Sequence, residues 1–170
     1  MSLDRDQRRA LLAHPAGWIA LGFGSGLAPR MPGTAGSALA LLPWLALREL
    51  PPLPYLLVLL LAFALGIWAC GVAGRRIGVA DHGAFVWDEF VGQWLALLPA
   101  LAAPAWWALV GFVLFRLFDI AKPWPIRWAD RRVKGGFGVM LDDVLAGLAA
   151  AIILWLLLRG WKWGMGNGEW

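Results

Sequence analysis

LPYLLVLLLAFALGIWACGVA, residues 53–73, carries no charge along its whole length, and its reading decides the class of the chain. Four more apolar stretches lie around it, at roughly 35–50, 90–103, 105–118 and 143–158. Pro51-Pro52 separates the first two in chain order, and Pro104 parts the middle pair. Of the 170 residues, 61% are hydrophobic and 15% charged, and the mean hydropathy is +0.66. A soluble domain of this length carries about a quarter charged residues. Composition therefore favours one polytopic helical membrane domain, with roughly four to five apolar helices, over a soluble helical protein with a greasy core. Several stretches are short. Sixteen residues of helix reach about 24 Å against a hydrocarbon core of about 30 Å, so some are expected to pack inside the protein.

Working outward, residues 1–16 read as a polar N-terminal arm, 17–159 as the membrane domain and 160–170 as a loose C-terminal tail. The stretch GWIALGFGSGLAPRMPGTAGS, 17–37, holds five glycines and two prolines between Gly22 and Gly36. That density forbids a regular spanning helix, and irregular backbone survives in lipid only where protein buries it or a wet cavity meets it. A re-entrant or interfacial segment is expected. Trp44, Trp87, Trp106, Trp107, Trp155 and Trp161 lie near the ends of apolar runs, where indoles favour the headgroup level. Trp68 and Trp94 fall inside runs and read as packing residues.

If the N-terminus is cytoplasmic and all five stretches cross, twelve basic residues fall inside and three, Arg48, Arg159 and Lys162, outside. This is a positive-inside bias. It also explains the net charge of +4 as juxtamembrane placement and gives nucleic acid no role. The same count puts Asp81, Asp88, Glu89, Asp119, Asp130, Asp142 and Asp143 on the cytoplasmic face. Acids contribute little to orientation, so their gathering asks for another cause.

Two acidic pairs read as helix openers, Asp88-Glu89 in VWDEFVGQW and Asp142-Asp143 in MLDDVLAGLAA. Helix dipoles favour carboxylates there, but ionised groups beside hydrocarbon are costly and are usually paired or functional. Adjacent helical residues point about 100° apart, so each pair can grip one ion or divide its labour. Gly92 and Gly147 lie four residues after Asp88 and Asp143, which would let the two helices approach closely. Asp88, Glu89, Asp142 and Asp143 thus form a candidate hard-oxygen metal site, suited to Mg²⁺ or, in its place, Mn²⁺.

Opposite charge comes from FRLFDIAKPWPIRWADRRVKGGFG. Pro123 and Pro125 should stop the preceding helix and hold Lys122 near Asp119, while Arg127 approaches from the same side. Arg131 and Arg132 are explained by topology and anionic lipid. The loops GFGSG, PGTAGS and GGFG allow close backbone approach to an anion, and Ser25, Thr34 and Ser37 add hydroxyl donors. No Walker lysine follows these glycines, so nucleotide binding lacks support. Carboxylates that bind metal, facing cations and glycine loops together describe a phosphate-ester site, where a metal neutralises phosphoryl oxygens and activates water. Thiol chemistry is excluded: Cys70, the single cysteine, has no Cys-x5-Arg loop. His82, in a loop, is a weak candidate for proton transfer and is expected to be exposed.

The ordered set GFGSG, PGTAGS, VWDEFVG, FDIAKPWPI and GGFGVMLDDVLAG closely resembles the bacterial phosphatidylglycerophosphatase A family, over about residues 17–150. The resemblance implies an all-helical, Mg²⁺-dependent lipid phosphatase of the bacterial inner membrane. Such an enzyme converts phosphatidylglycerophosphate, its phospholipid substrate, to phosphatidylglycerol and phosphate. By motif match, Asp88, Glu89, Asp142 and Asp143 become the metal and catalytic carboxylates, with Asp119 and Lys122 as the acid and lysine of a DxxKP element. Catalytic roles are expected for Asp88, Asp119, Lys122 and Asp143, and phosphate contacts for Ser25, Thr34, Ser37, Lys122 and Arg127. Attack by metal-activated water and an aspartyl-phosphate on Asp119 or Asp88 both remain open. Two other functions compete. A CDP-alcohol phosphotransferase would need a longer aspartate array ending G-x3-D-x3-D, which is missing. A cation transporter would place its acids at mid-membrane instead of on one face.

Overall fold

Proline starts and glycine stops frame the long apolar run. In the computed structural model, which describes residues 3–164, Pro52 sits in the first turn of a 26-residue helix that ends where Gly78 adopts φ 70°. Proline loses nothing at a helix start, because its missing N–H has no intrahelical partner there, and glycine enters the left-handed region freely. The elements in chain order are α1 (Arg5–Leu12), α2 (Pro15–Ala20), a 3₁₀ turn (Gly22–Leu27), α3 (Pro32–Leu47) and α4 (Pro52–Ile77). They continue with α5 (Trp87–Ala96), a short 3₁₀ turn (Leu98–Ala100), α6 (Trp107–Ala121), α7 (Ile126–Arg132) and α8 (Gly135–Gly164). Among the described residues there is no strand.

Two helices, α4 and α8, are long and apolar enough to cross a bilayer, at about 39 and 45 Å. Only 33% of the most apolar window of α4 is buried, and Leu53, Leu57, Leu60, Leu61 and Trp68 point outward. An apolar face of that extent suits lipid and not the core of a soluble protein. The other apolar stretches form the short helices their lengths imply, and only 90–103 is cut below its expected length. Most of 35–50 falls in α3, about 24 Å long; most of 90–103 divides between α5, about 15 Å, and its 3₁₀ turn; most of 105–118 falls in α6, about 22 Å. Within 17–37, only 21–31 lie outside α-helix; α2 and the first turns of α3 take the rest. Phe23, Gly24 and Met31 all carry positive φ in that connection. Helix α8 continues through Gly164, past the expected start of the tail at 160, and residues 165–170 lie outside the described residues.

Helix α5 sits at the centre, packed by α8, α3, α4 and α6, while α1 and α2 cover α4. Its buried side chains include Trp87, Phe90, Val91, Gly92, Gln93, Trp94 and Ala96. Three polar tips tie it to its neighbours: Trp87 Nε1 donates to Ala62 O, Trp94 Nε1 to Ala40 O, and Tyr55 Oη to Trp94 O at 2.6 Å. These tryptophans correct the interfacial expectation. Trp44, Trp87 and Trp107 are buried in the core, whereas Trp68 is exposed. Trp106 and Trp155 do lie at the surface.

Small residues set how closely the helices pack, as is usual where lipid provides no hydrophobic drive between them. A Cβ on Gly136 would collide with Ile67 O, and one on Gly66 with Met140 Sδ, so α4 and α8 run antiparallel in close contact. A Cβ on Gly147 would collide with Gly92 O, and one on Gly92 would come within 2.7 Å of Asp143 O. The expected role of these two glycines is therefore met in the packing of α5 on α8.

Candidate active site

Asp88 and Glu89 occupy the first turn of α5, as expected. Asp142 and Asp143 do not open their helix: α8 begins at Gly135, so Asp143 lies about 12 Å along it. The glycines that looked like a helix break, Gly136 and Gly138, are instead packed against Ile67 O and Val133 O. The acids thus sit about two turns below the end of α8 that Arg131, Arg132 and Lys134 surround. The close Gly92–Gly147 crossing then brings the two acidic pairs together.

The pairs divide their labour. Asp142 Oδ2 takes an ion pair from Lys122 Nζ at 2.5 Å, and the same ammonium holds Asp130 Oδ1 at 2.6 Å. Asp143 turns the other way: ligand oxygens of Asp88, Glu89 and Asp143 all lie within 4.8 Å of one another. A second triplet of the same tightness joins Asp119, Asp142 and Asp143. Asp88 Oδ1, Glu89 Oε2 and Asp143 Oδ2 are buried with no hydrogen-bond partner among the described residues. Buried carboxylate oxygens left this way are costly unless a cation meets them. The donor set is all oxygen and anionic, which fits a hard divalent ion such as Mg²⁺.

Lys122 is placed by the break between two helices. It caps α6 in the left-handed region, φ 42°, with its N–H donating to Phe118 O, and Pro123 follows. Burial alone would lower its pKa; the Asp130 and Asp142 carboxylates outweigh that and hold it above the ordinary lysine value. Asp119 is met not by Lys122 but by Arg116, at 2.6 Å. Arg116 Nη1 also lies 3.9 Å from Glu89 Oε1 and donates to Ser37 Oγ at 3.4 Å. Sequence reading took Arg116 only as a topology charge; its spacing of three from Asp119 on one helix was the signal available. Asp130 is counted with the gathered acids, but its place in a run of basic residues hides its pairing with Lys122.

The hydroxyls divide. Ser37 is fully buried, donates to Gly33 O and meets Arg116, which puts the first turns of α3 against the carboxylates. Gly33 has no room for a Cβ, since Glu89 Oε1 fills that space. Thr34 Oγ1 is buried without a partner among the described residues. Ser25 is bonded within its own turn, donating to Gly22 O. Arg127 is outside the cluster; with Lys122, Trp124, Trp128, Arg131 and Arg132 it lines an open cleft of about 430 Å³. His82, expected exposed, is buried: Ala84 N–H donates to its Nδ1, and burial lowers its pKa. Cys70 is fully buried in the core, in keeping with a site that does not use a thiol.

An acidic, cation-bordered cluster thus sits in a helical frame that carries two helices of bilayer length. The phosphatidylglycerophosphatase A family model matches residues 18–158, and the chain belongs to that family. It is 44% identical over 163 residues to a phosphatidylglycerophosphatase A of Escherichia coli, covering 95% of this chain and 94% of that one. A phosphatidylglycerophosphatase A of Haemophilus influenzae is 42% identical, covering 92% and 97%. A putative phosphatidylinositol-3-phosphatase of Bacteroides thetaiotaomicron is 44% identical over 147 residues, covering 80% and 89%. No solved structure matches the chain.

Proposed function

We propose that the chain hydrolyses the terminal phosphomonoester of phosphatidylglycerophosphate in a Mg²⁺-dependent reaction, with Mn²⁺ able to substitute, giving phosphatidylglycerol and phosphate. It does so in a bacterial inner membrane, as a multi-pass protein whose site faces the cytoplasm. The observation that carries the reading is the carboxylate cluster around Asp143, with its buried, unpartnered oxygens, bordered by Arg116 and Lys122. The shorter helices α3, α5 and α6 complete the four to five apolar segments, and residues 22–31 form the interfacial connection.

Asp88, Glu89, Asp142 and Asp143 would hold the metal, whose chemistry is to draw charge from phosphoryl oxygens and acidify water. Lys122 and Arg127 converge on one cleft and would fix phosphate oxygens of the lipid; Arg116 orients Asp119 and Glu89 from behind. In hydrolysis the phosphorus–oxygen bond to the glycerol breaks, water oxygen joins the phosphorus, and a proton must reach the leaving oxygen.

The test is phosphate release by the purified chain, with and without Mg²⁺. The substrates are phosphatidylglycerophosphate, phosphatidic acid, phosphatidylinositol 3-phosphate and a soluble phosphoester. Release that is fastest from phosphatidylglycerophosphate and needs the ion is expected; no release from any lipid phosphate would overturn the reading. Asp88→Asn, Glu89→Gln, Asp142→Asn and Asp143→Asn should each lower turnover by about 10²-fold or raise the Mg²⁺ requirement. If the acids are only structural, the amides, which keep the shape of the side chains, would leave near-normal turnover.

A further inference from the structure

Asp143 belongs to two carboxylate triplets at once, one with Asp88 and Glu89, the other with Asp119 and Asp142. It is only 3% exposed, and its Oδ2 has no hydrogen-bond partner among the described residues. Charge balance makes the double membership consequential. Six carboxylates, those of Asp88, Glu89, Asp119, Asp130, Asp142 and Asp143, face two cations, Arg116 and Lys122. Fully ionised, they leave four negative charges, which one divalent ion would only halve and two would cancel.

The geometry points to two divalent cations bound side by side, with Asp143 as their shared ligand. This rests on the hydrolase reading above and adds to it the number of ions, their order of binding and the residue that joins them. Paired ions clamp the attacking and leaving oxygens of a displacement at phosphorus, which one ion cannot do for both. The two positions are unequal. In the Asp88–Glu89–Asp143 triplet every residue offers an oxygen that nothing else occupies. In the other triplet Arg116 already holds Asp119, and Lys122 already holds Asp142. The first position therefore binds its ion tightly, and the second competes with resident cations and binds weakly.

Mn²⁺ titrated into the purified full chain, without any lipid phosphate, reads this directly through the paramagnetic resonance of free and bound ion. Two equivalents taken up in two phases are expected, with a spin-coupled Mn–Mn spectrum emerging in the second. Glu89→Gln should weaken the tight phase at least about tenfold, Asp119→Asn should weaken only the second, and Asp143→Asn should weaken both and abolish the coupling. Saturation at one equivalent in the unaltered chain, or two uncoupled equivalents, would overturn the proposal, and neither outcome depends on a variant that inserts. Phosphate release from the same preparation keeps the two readings apart. Full activity with one equivalent bound removes the pair and leaves the hydrolase. Two coupled equivalents with no release from any lipid phosphate keep the pair and remove the hydrolase.

Discussion

Lys122 carries its charge in a backbone conformation that costs a residue with a side chain about 1–2 kcal/mol, at φ 42° and ψ 59°. The position is held because a left-handed cap ends α6 and swings the ammonium between Asp130 and Asp142. Strain and pairing can be separated. Lys122→Gly loses the pair but not the fit to the backbone, whereas Lys122→Ala loses the pair and keeps the strain. Both should lose turnover alike, and thermal unfolding should find the glycine variant more stable by about 1 kcal/mol. The sign of the pH dependence follows from the raised lysine pKa. Its stabilising contribution is fully present below about pH 10.4, the unfolded value, and is lost only as pH rises through the higher folded value. The alkaline limb of an activity profile below pH 9 should therefore be the same in Lys122→Arg as in the unaltered chain. Residue by residue, sequence reading found the charged pairs and missed who meets whom. Lys122 was matched to Asp119, but the helix break turns it to Asp142 and leaves Asp119 to Arg116. Tryptophans near run ends were given to the headgroups, yet Trp44 and Trp87 are core residues, because the neighbours that bury an indole come from other helices.

At the scale of elements, the site exists because two helices touch at glycine. Asp88 and Asp143 each stand one turn before the contact, so any Cβ there changes the spacing of the carboxylates. Gly147→Ala would drive a methyl into Gly92 O, which overpacking arguments place at about 1–3 kcal/mol. The Mg²⁺ needed for half-maximal turnover should rise several-fold, while Gly160→Ala, with nothing within 4 Å, should change neither. An alanine at 147 with normal ion dependence would show that the crossing does not set the site. The i, i+4 placing of acid and glycine was legible in the sequence because it is local. The start of α8 was not, because Gly135-Gly136-Phe137-Gly138 has the composition of a turn and becomes helix only against α4 and Val133.

For the whole molecule, the distribution of basic residues supports the proposed orientation of the site. Arg75 and Arg76 at the end of α4 and Arg131, Arg132 and Lys134 before α8 lie at one end of the antiparallel pair; Arg159 and Lys162 lie toward the other. In a Cys70→Ala background, Gly83→Cys and Lys134→Cys should react with an impermeant thiol reagent only when the cytoplasmic face is open, and Glu49→Cys only from outside. Gly83 is exposed, whereas its neighbour His82 is buried. Reaction of Gly83→Cys or Lys134→Cys from outside intact cells would reverse the orientation. The unequal surroundings of α4 and α5 also reach beyond one molecule, into how freely the sequence can drift over generations. The outer leucines of α4 are largely exposed, so any apolar residue serves, and that face can change almost at random. Helix α5 is enclosed on nearly every side, and a change there must be answered by a second change in α3, α4, α6 or α8 before the carboxylates regain their places.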